Sequence, residues 1–122
     1  MALPRCHRLR QRDRFPALYR GGRKLSTPSL LLRWLPQAEI ESVNESRFAI
    51  VISLKVHKRA VRRNRLRRRL QAALLRLRDR LRPGFDGLLT VKPGLDLDTS
   101  TSQFLQELED LLTRAEIIHG RQ

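Results

Sequence analysis

The sequence predicts a single-domain α+β sandwich, and three stretches carry that reading. Phe48 to Leu54 is almost wholly apolar and reads as a central strand covered on both faces. A long basic segment, starting near Lys58 or Arg59 and ending before Pro83-Gly84, repeats aliphatic residues close to a 3.6 period. The C-terminal segment repeats the same period behind Ser100 and Gln103, the spacing of a capping box. Strand-like and helix-like segments mixed within 122 residues fit one sheet with helices packed on it.

The elements follow in order. Residues 1–11 are basic, contain Pro4 and lack periodicity, so they read as an arm that orders on contact. Asp13 suits the N-cap of a short helix running to about Tyr19, with Pro16 tolerated in the first turn and Gly21-Gly22 as the stop. Phe15, Leu18 and Tyr19 fall on one face of it. Ser29 to Leu35 is a strand by length and flanking prolines. Alternation puts Leu30, Leu32 and Trp34 on its core face, and Leu31, Arg33 and Leu35 on the other. Pro36 to Ser46 is polar and acidic, which suits a hairpin loop leading into the apolar run.

The basic helix has Val61, Leu66, Leu70, Ala73, Leu74, Leu77 and Leu81 as its apolar seam. Gly87 to Lys92 is a short strand closed by Pro93-Gly94. The last helix buries Phe104, Leu105, Leu108, Leu111, Leu112 and Ala115. The order read from the residues is α-β-β-α-β-α, with room for one more strand around Leu25 or within 36–46.

Charge narrows the function. Twenty-six Lys and Arg against 12 Asp and Glu give +14, and such self-repulsion is usually tolerated for the sake of a polyanionic partner. The bases concentrate between Lys55 and Arg82, where Asp79 is the single acid, whereas Asp96 to Glu116 is acidic. Cys6 is the one cysteine, so no intramolecular disulfide forms and a reducing, cytoplasmic setting is expected. No apolar run has the length of a membrane span, and no apolar signal core follows the basic start.

Residues 55–70 are the sharpest signal. Exposed structural helices interleave acids with bases, because like charges three and four apart repel by tenths of a kcal/mol. Here Arg62, Arg63, Arg65, Arg67, Arg68 and Arg69 have no acidic relief within the helix. Arginine also grips phosphate oxygens bidentately and stacks on bases, which lysine does not. A nucleic-acid contact therefore outweighs a solvated face. A membrane surface is disfavoured because the apolar seam is needed for the core. Asn64, between two arginines, is either a plain surface amide or a group that bonds an RNA edge.

Phe15 and Tyr19 are spaced like core residues, yet Tyr19 stands among Arg14, Arg20 and Arg23. Aromatic faces beside arginines, with Arg33 joining from the strand face opposite Trp34, are the parts of a single-strand platform. Catalytic machinery is missing. His7, His57 and His119 lack metal-ligand spacing, Gly21-Gly22 is no phosphate loop, and Asp13, Asp79 and Asp86 are isolated acids. The chain offers no catalytic and no metal-ligating set of its own, and nothing suggests a small-molecule substrate.

The stretch Lys55 through Arg69, with Ala60, Arg63-Asn64-Arg65 and Arg67-Arg68, resembles the basic helix of the bacterial ribonuclease P protein subunits. Arg8-Leu9-Arg10 followed by Phe15, Tyr19 and Gly22 is similar to that family's N-terminal segment, and the likeness spans essentially the whole chain. Leu54 departs from the family's usual lysine, and His57-Lys58-Arg59 replaces a glycine-containing loop. The resemblance implies an α-β-β-β-α-β-α fold with a ribosomal-protein-like sheet and a left-handed βαβ crossover, uncommon in itself. It also implies two RNA partners. Lys55, Lys58, Arg59, Arg62, Arg63, Asn64, Arg65, Arg67, Arg68 and Arg69 would bind the catalytic RNA of ribonuclease P. Phe15, Tyr19 and Arg33 would hold the single-stranded 5′ leader of precursor tRNA. Cleavage would be the work of Mg²⁺ bound mainly by the RNA, with the protein raising substrate and metal affinity.

From the residues alone two rivals stay open. A ribosomal RNA anchor would share the sandwich fold but needs no single-strand cleft. A DNA major-groove helix is weaker, because a strand rather than a partner helix precedes the basic helix.

Overall fold

The computed structural model describes residues 14–36 and 46–118, with residues 14 and 15 given by their backbone only. In chain order these form α1 (Arg14–Gly21), β1 (Arg23–Ser26), β2 (Leu30–Pro36), β3 (Arg47–Val51), α2 (Ala60–Arg76), a 3-10 turn (Arg78–Arg80), β4 (Phe85–Val91) and α3 (Thr101–Arg114). The architecture is the mixed α+β domain expected, a four-stranded sheet with three helices. Its additional strand is the one around Leu25. The basic arm at 1–11, Asp13 as a helix cap and the acidic stretch 37–45 lie outside the described residues.

Strand order is β1-β2-β4-β3, with β2 antiparallel to both β1 and β4, and β3 parallel to β4. The hairpin joins β1 to β2: the Thr27 N–H donates to the Leu30 carbonyl at 2.8 Å, and the Leu30 N–H to Thr27 Oγ1 at 3.2 Å. Parallel strands cannot be joined by a tight turn, so α2 serves as the crossover from β3 to β4.

Two expectations are corrected here. β2 and β3 do not pair as the hairpin expected across Pro36 to Ser46, because β4 lies between them. The apolar run at 48–54 is not central either, since β3 is an edge strand in which Phe48 alone is buried. Its composition reflects two covered faces rather than two flanking strands. Phe48 and Ile50 face the main core, whereas Ala49 and Val51 pack with Leu18 and Leu88 under α1. The interior positions belong to β2 and β4, and in β4 Asp86, Gly87, Leu88 and Leu89 are all buried.

The main core lies between the sheet and the pair α2 and α3. Leu30, Leu32, Trp34, Phe48, Leu89 and Val91 meet Leu66, Leu70, Leu74, Phe104, Leu108 and Leu111 there. The α2 seam holds from Leu66 onward, but Val61 is 62% exposed because the first turn of α2 contributes nothing to this core. At α3 the capping box forms as expected: the Gln103 N–H donates to Ser100 Oγ at 3.2 Å, and the Ser100 N–H to Gln103 Oε1 at 2.8 Å.

Gly87 makes room for the core aromatics, pairing with Trp34 on one side and Phe48 on the other. A Cβ at Gly87 would sit 2.8 Å from Cδ1 and Cε1 of the buried Phe48 ring. Gly87→Ala is therefore expected to cost about 1–3 kcal/mol through overpacking, read as a lower urea midpoint at unchanged m-value. An unaltered midpoint would mean that the Phe48 ring yields freely.

Candidate nucleic-acid interface

Among the described residues the sheet has one face covered by α2 and α3 and one that carries α1. Register sets the side chains of that second face in rows: Lys24, Arg33, Leu88 and Ala49 in one, and Ser26, Leu31, Thr90 and Val51 in the next. Leu18 plugs α1 onto Leu88, and Gly22 lets the chain turn back tightly, since a Cβ there would collide with the Leu18 carbonyl oxygen. Leu18 and Tyr19, expected on one face, divide the work: Leu18 is fully buried and Tyr19 is 49% exposed.

Arg33 lies with its Cζ 4.7 Å from the centroid of the Tyr19 ring, within cation–π range. Its Nε is buried without a hydrogen-bond partner, and so is Thr90 Oγ1 on the neighbouring strand. An unpaired buried polar group costs about 1–3 kcal/mol, and these two lie on the same face of the sheet as Tyr19. Phe15 lies four residues before Tyr19 in α1, and its side chain is outside the described residues.

The second surface is α2 with the loop before it. Lys55, Lys58, Arg59, Arg62, Asn64, Arg65 and Arg68 are exposed, and the first turn of the helix carries no acid. Arg63, Arg67 and Arg69 are half-buried and bond main-chain carbonyls instead. Arg63 Nη1 donates to the His57 and Lys58 oxygens at 2.8 and 2.9 Å, and Arg67 Nη1 to Ile50 O at 2.6 Å. Arg69 Nη1 reaches Leu97 O at 3.3 Å and Thr99 O at 3.1 Å. The loop is further fixed by the Arg59 N–H, which donates to His57 Nδ1 at 3.0 Å. Leu54, the apolar residue just before Lys55, is 68% exposed.

α1 and α2 pack on opposite faces of the sheet, so the predicted residues fall into two surfaces rather than one site. Acids elsewhere are engaged locally: Glu109 pairs with Arg80 at 3.0 Å and Asp110 with Arg114 at 3.1 Å. Asp86, read from sequence as an isolated acid, is fully buried and bidentate with Arg47, both oxygens at 3.0 Å. Among the described residues no three His, Cys, Asp or Glu gather as metal ligands, and no helix is long and apolar enough to cross a membrane.

Known proteins match this chain in sequence and in fold. The family model described as Ribonuclease P matches residues 3–116. The ribonuclease P protein component of Microcystis aeruginosa is 39% identical over 120 residues, covering 98% of this chain and 99% of its own. That of a Cyanothece species is 40% identical over 130 residues, covering 97% and 98%. The solved RNase P protein of Thermotoga maritima matches with a TM-score of 0.75 at 25% identity, over 93% of this chain and 98% of its own. The Staphylococcus aureus RNase P protein shares the fold at a TM-score of 0.77 and 20% identity, over 93% and 98%. A match along nearly the whole chain, in both sequence and fold, leaves one conclusion: the chain belongs to the ribonuclease P protein family.

Proposed function

We propose that this chain is the RNA-binding protein subunit of a cytoplasmic ribonuclease P, acting on precursor tRNA together with a catalytic RNA. Family membership supports the part in tRNA processing and the work with RNA. In this reading α2 and its preceding loop dock on the catalytic RNA, and the α1 face of the sheet holds the single-stranded 5′ leader. The observation that carries it is the half-exposed Tyr19 ring with the Arg33 guanidinium over it on the α1 face of the sheet. A base stacked on Tyr19 would lie beside a guanidinium that can follow its phosphate.

The chain's contribution is binding and orientation. Its exposed cations screen phosphates brought close together, and a held leader places the scissile bond of the precursor against the RNA. Mg²⁺ bound to the RNA would supply the activated water. In this reading no step of the chemistry falls to the protein.

Reconstitution tests the proposal. Added to a bacterial ribonuclease P RNA, the protein is expected to lower the Mg²⁺ concentration needed to remove the leader of a precursor tRNA. Equal cleavage with and without it at low Mg²⁺ would overturn the assignment.

A further inference from the structure

The arginines of α2 are chemically alike but not structurally alike. Arg63, Arg67 and Arg69 each donate to carbonyls of a different neighbour: the loop before the helix, edge strand β3, and the segment leading into α3. Arg62, Arg65 and Arg68 are exposed, and their side chains make no hydrogen bond or ion pair among the described residues. Val61, Asn64, Arg65 and Arg68 recur at helical spacings of three, four and seven, so they form one exposed stripe along α2.

We propose a division of labour within Arg63-Asn64-Arg65, resting on the reading of α2 as the RNA-docking surface. Arg65, with Arg62, Asn64 and Arg68, touches the RNA, whereas Arg63 is a positioning residue. By holding the His57 and Lys58 carbonyls, Arg63 sets the path of the loop that delivers Lys58 and Arg59 to the start of the stripe. Turning Arg63 outward to a phosphate would leave both carbonyls without that donor, whereas Arg65 can engage a phosphate without breaking any internal bond. Arg67 belongs with Arg63, because its bond to Ile50 fixes the helix against β3.

Salt dependence separates the two roles, since only a lost phosphate contact changes the number of counterions released. The full-length protein and its variants are titrated with a bacterial ribonuclease P RNA across a salt series, alongside amide exchange on the free proteins. Arg65→Gln and Arg68→Gln are each expected to reduce the slope of log affinity against log salt by about 0.7–0.9, leaving exchange at residues 56–59 unchanged. Arg63→Gln is expected to weaken binding about tenfold at every salt, the equivalent of one charge-assisted hydrogen bond, with the slope nearly kept and faster exchange at 56–59. Arg67→Gln, the second anchored residue, should likewise lose affinity without losing slope. A slope loss in Arg63→Gln and Arg67→Gln equal to that in Arg65→Gln overturns the division while sparing the docking surface. Unchanged binding in all four variants overturns the docking surface itself, and the division with it.

Discussion

Arg47→Met is expected to destabilise the fold by about 3–4 kcal/mol, among the largest losses any single side chain here can produce. It removes the bidentate Arg47 guanidinium from Asp86, whose carboxylate is fully buried and takes both Arg47 bonds at 3.0 Å. The reverse change, Asp86→Asn, should cost less, about 2–3 kcal/mol, because the Arg47 side chain is 19% exposed and can turn partly to water. Removing both charges, as in Arg47→Met with Asp86→Leu, should cost clearly less than the sum of the two single changes. Urea and thermal unfolding read all of these, and for a chain of this size 3 kcal/mol corresponds to a midpoint drop of roughly 10 °C. A stable Arg47→Met protein, within about 1 kcal/mol of the parent, would show that the carboxylate finds its charge elsewhere. The pair's location explains its weight. It joins the first residue of β3 to β4 at the start of a parallel pairing that no tight turn enforces. Ser46 adds to the clasp, donating to the Arg82 carbonyl and accepting the Phe85 N–H at 3.1 Å.

That clasp was invisible in the sequence, for a reason that recurs along the chain. Arg47 and Asp86 are far apart in sequence, and a lone acid in an apolar strand does not name its partner. Features written in local spacing were legible. The alternation of β2 assigns Leu30, Leu32 and Trp34 to the core and Arg33 to the other face, as found. The Ser100 and Gln103 pair announces the start of α3. β1 was only half-legible, because a short edge strand with Leu25 as its one apolar residue writes almost no pattern. The apolar run of β3 disclosed that both faces are covered but not which strands lie beside it, since lateral order is set by pairing rather than by side-chain period. Val61 sits at seam spacing and is nevertheless exposed, because periodicity does not tell how far the core extends under a helix.

The candidate site divides in the same way. Sequence named the cations of α2 together and could not split them, because the acceptors of Arg63, Arg67 and Arg69 are main-chain carbonyls, which every residue possesses. On the sheet it supplied Tyr19 and Arg33 by chemistry and alternation.

The sheet face makes the largest functional prediction. Tyr19→Ala is expected to weaken binding of a precursor tRNA with a long leader by roughly tenfold or more, the loss of one stacked base, while a leaderless tRNA binds within about twofold of the parent. Stability should hardly change, because Leu18, not Tyr19, anchors α1 to the sheet. Arg33→Gln should show the same leader dependence, and the double variant should lose less than the two singles together. The guanidinium over the ring means that each change disturbs the other's contact with the same nucleotide. Phe15→Ala combined with Tyr19→Ala extends the test to the aromatic one helical turn earlier. Equal weakening of leader-bearing and leaderless substrates would assign Tyr19 to the framework of α1 instead of the leader. The contrast is decisive because a framework role acts on every substrate, whereas a stacking platform acts only on one that brings unpaired bases to it.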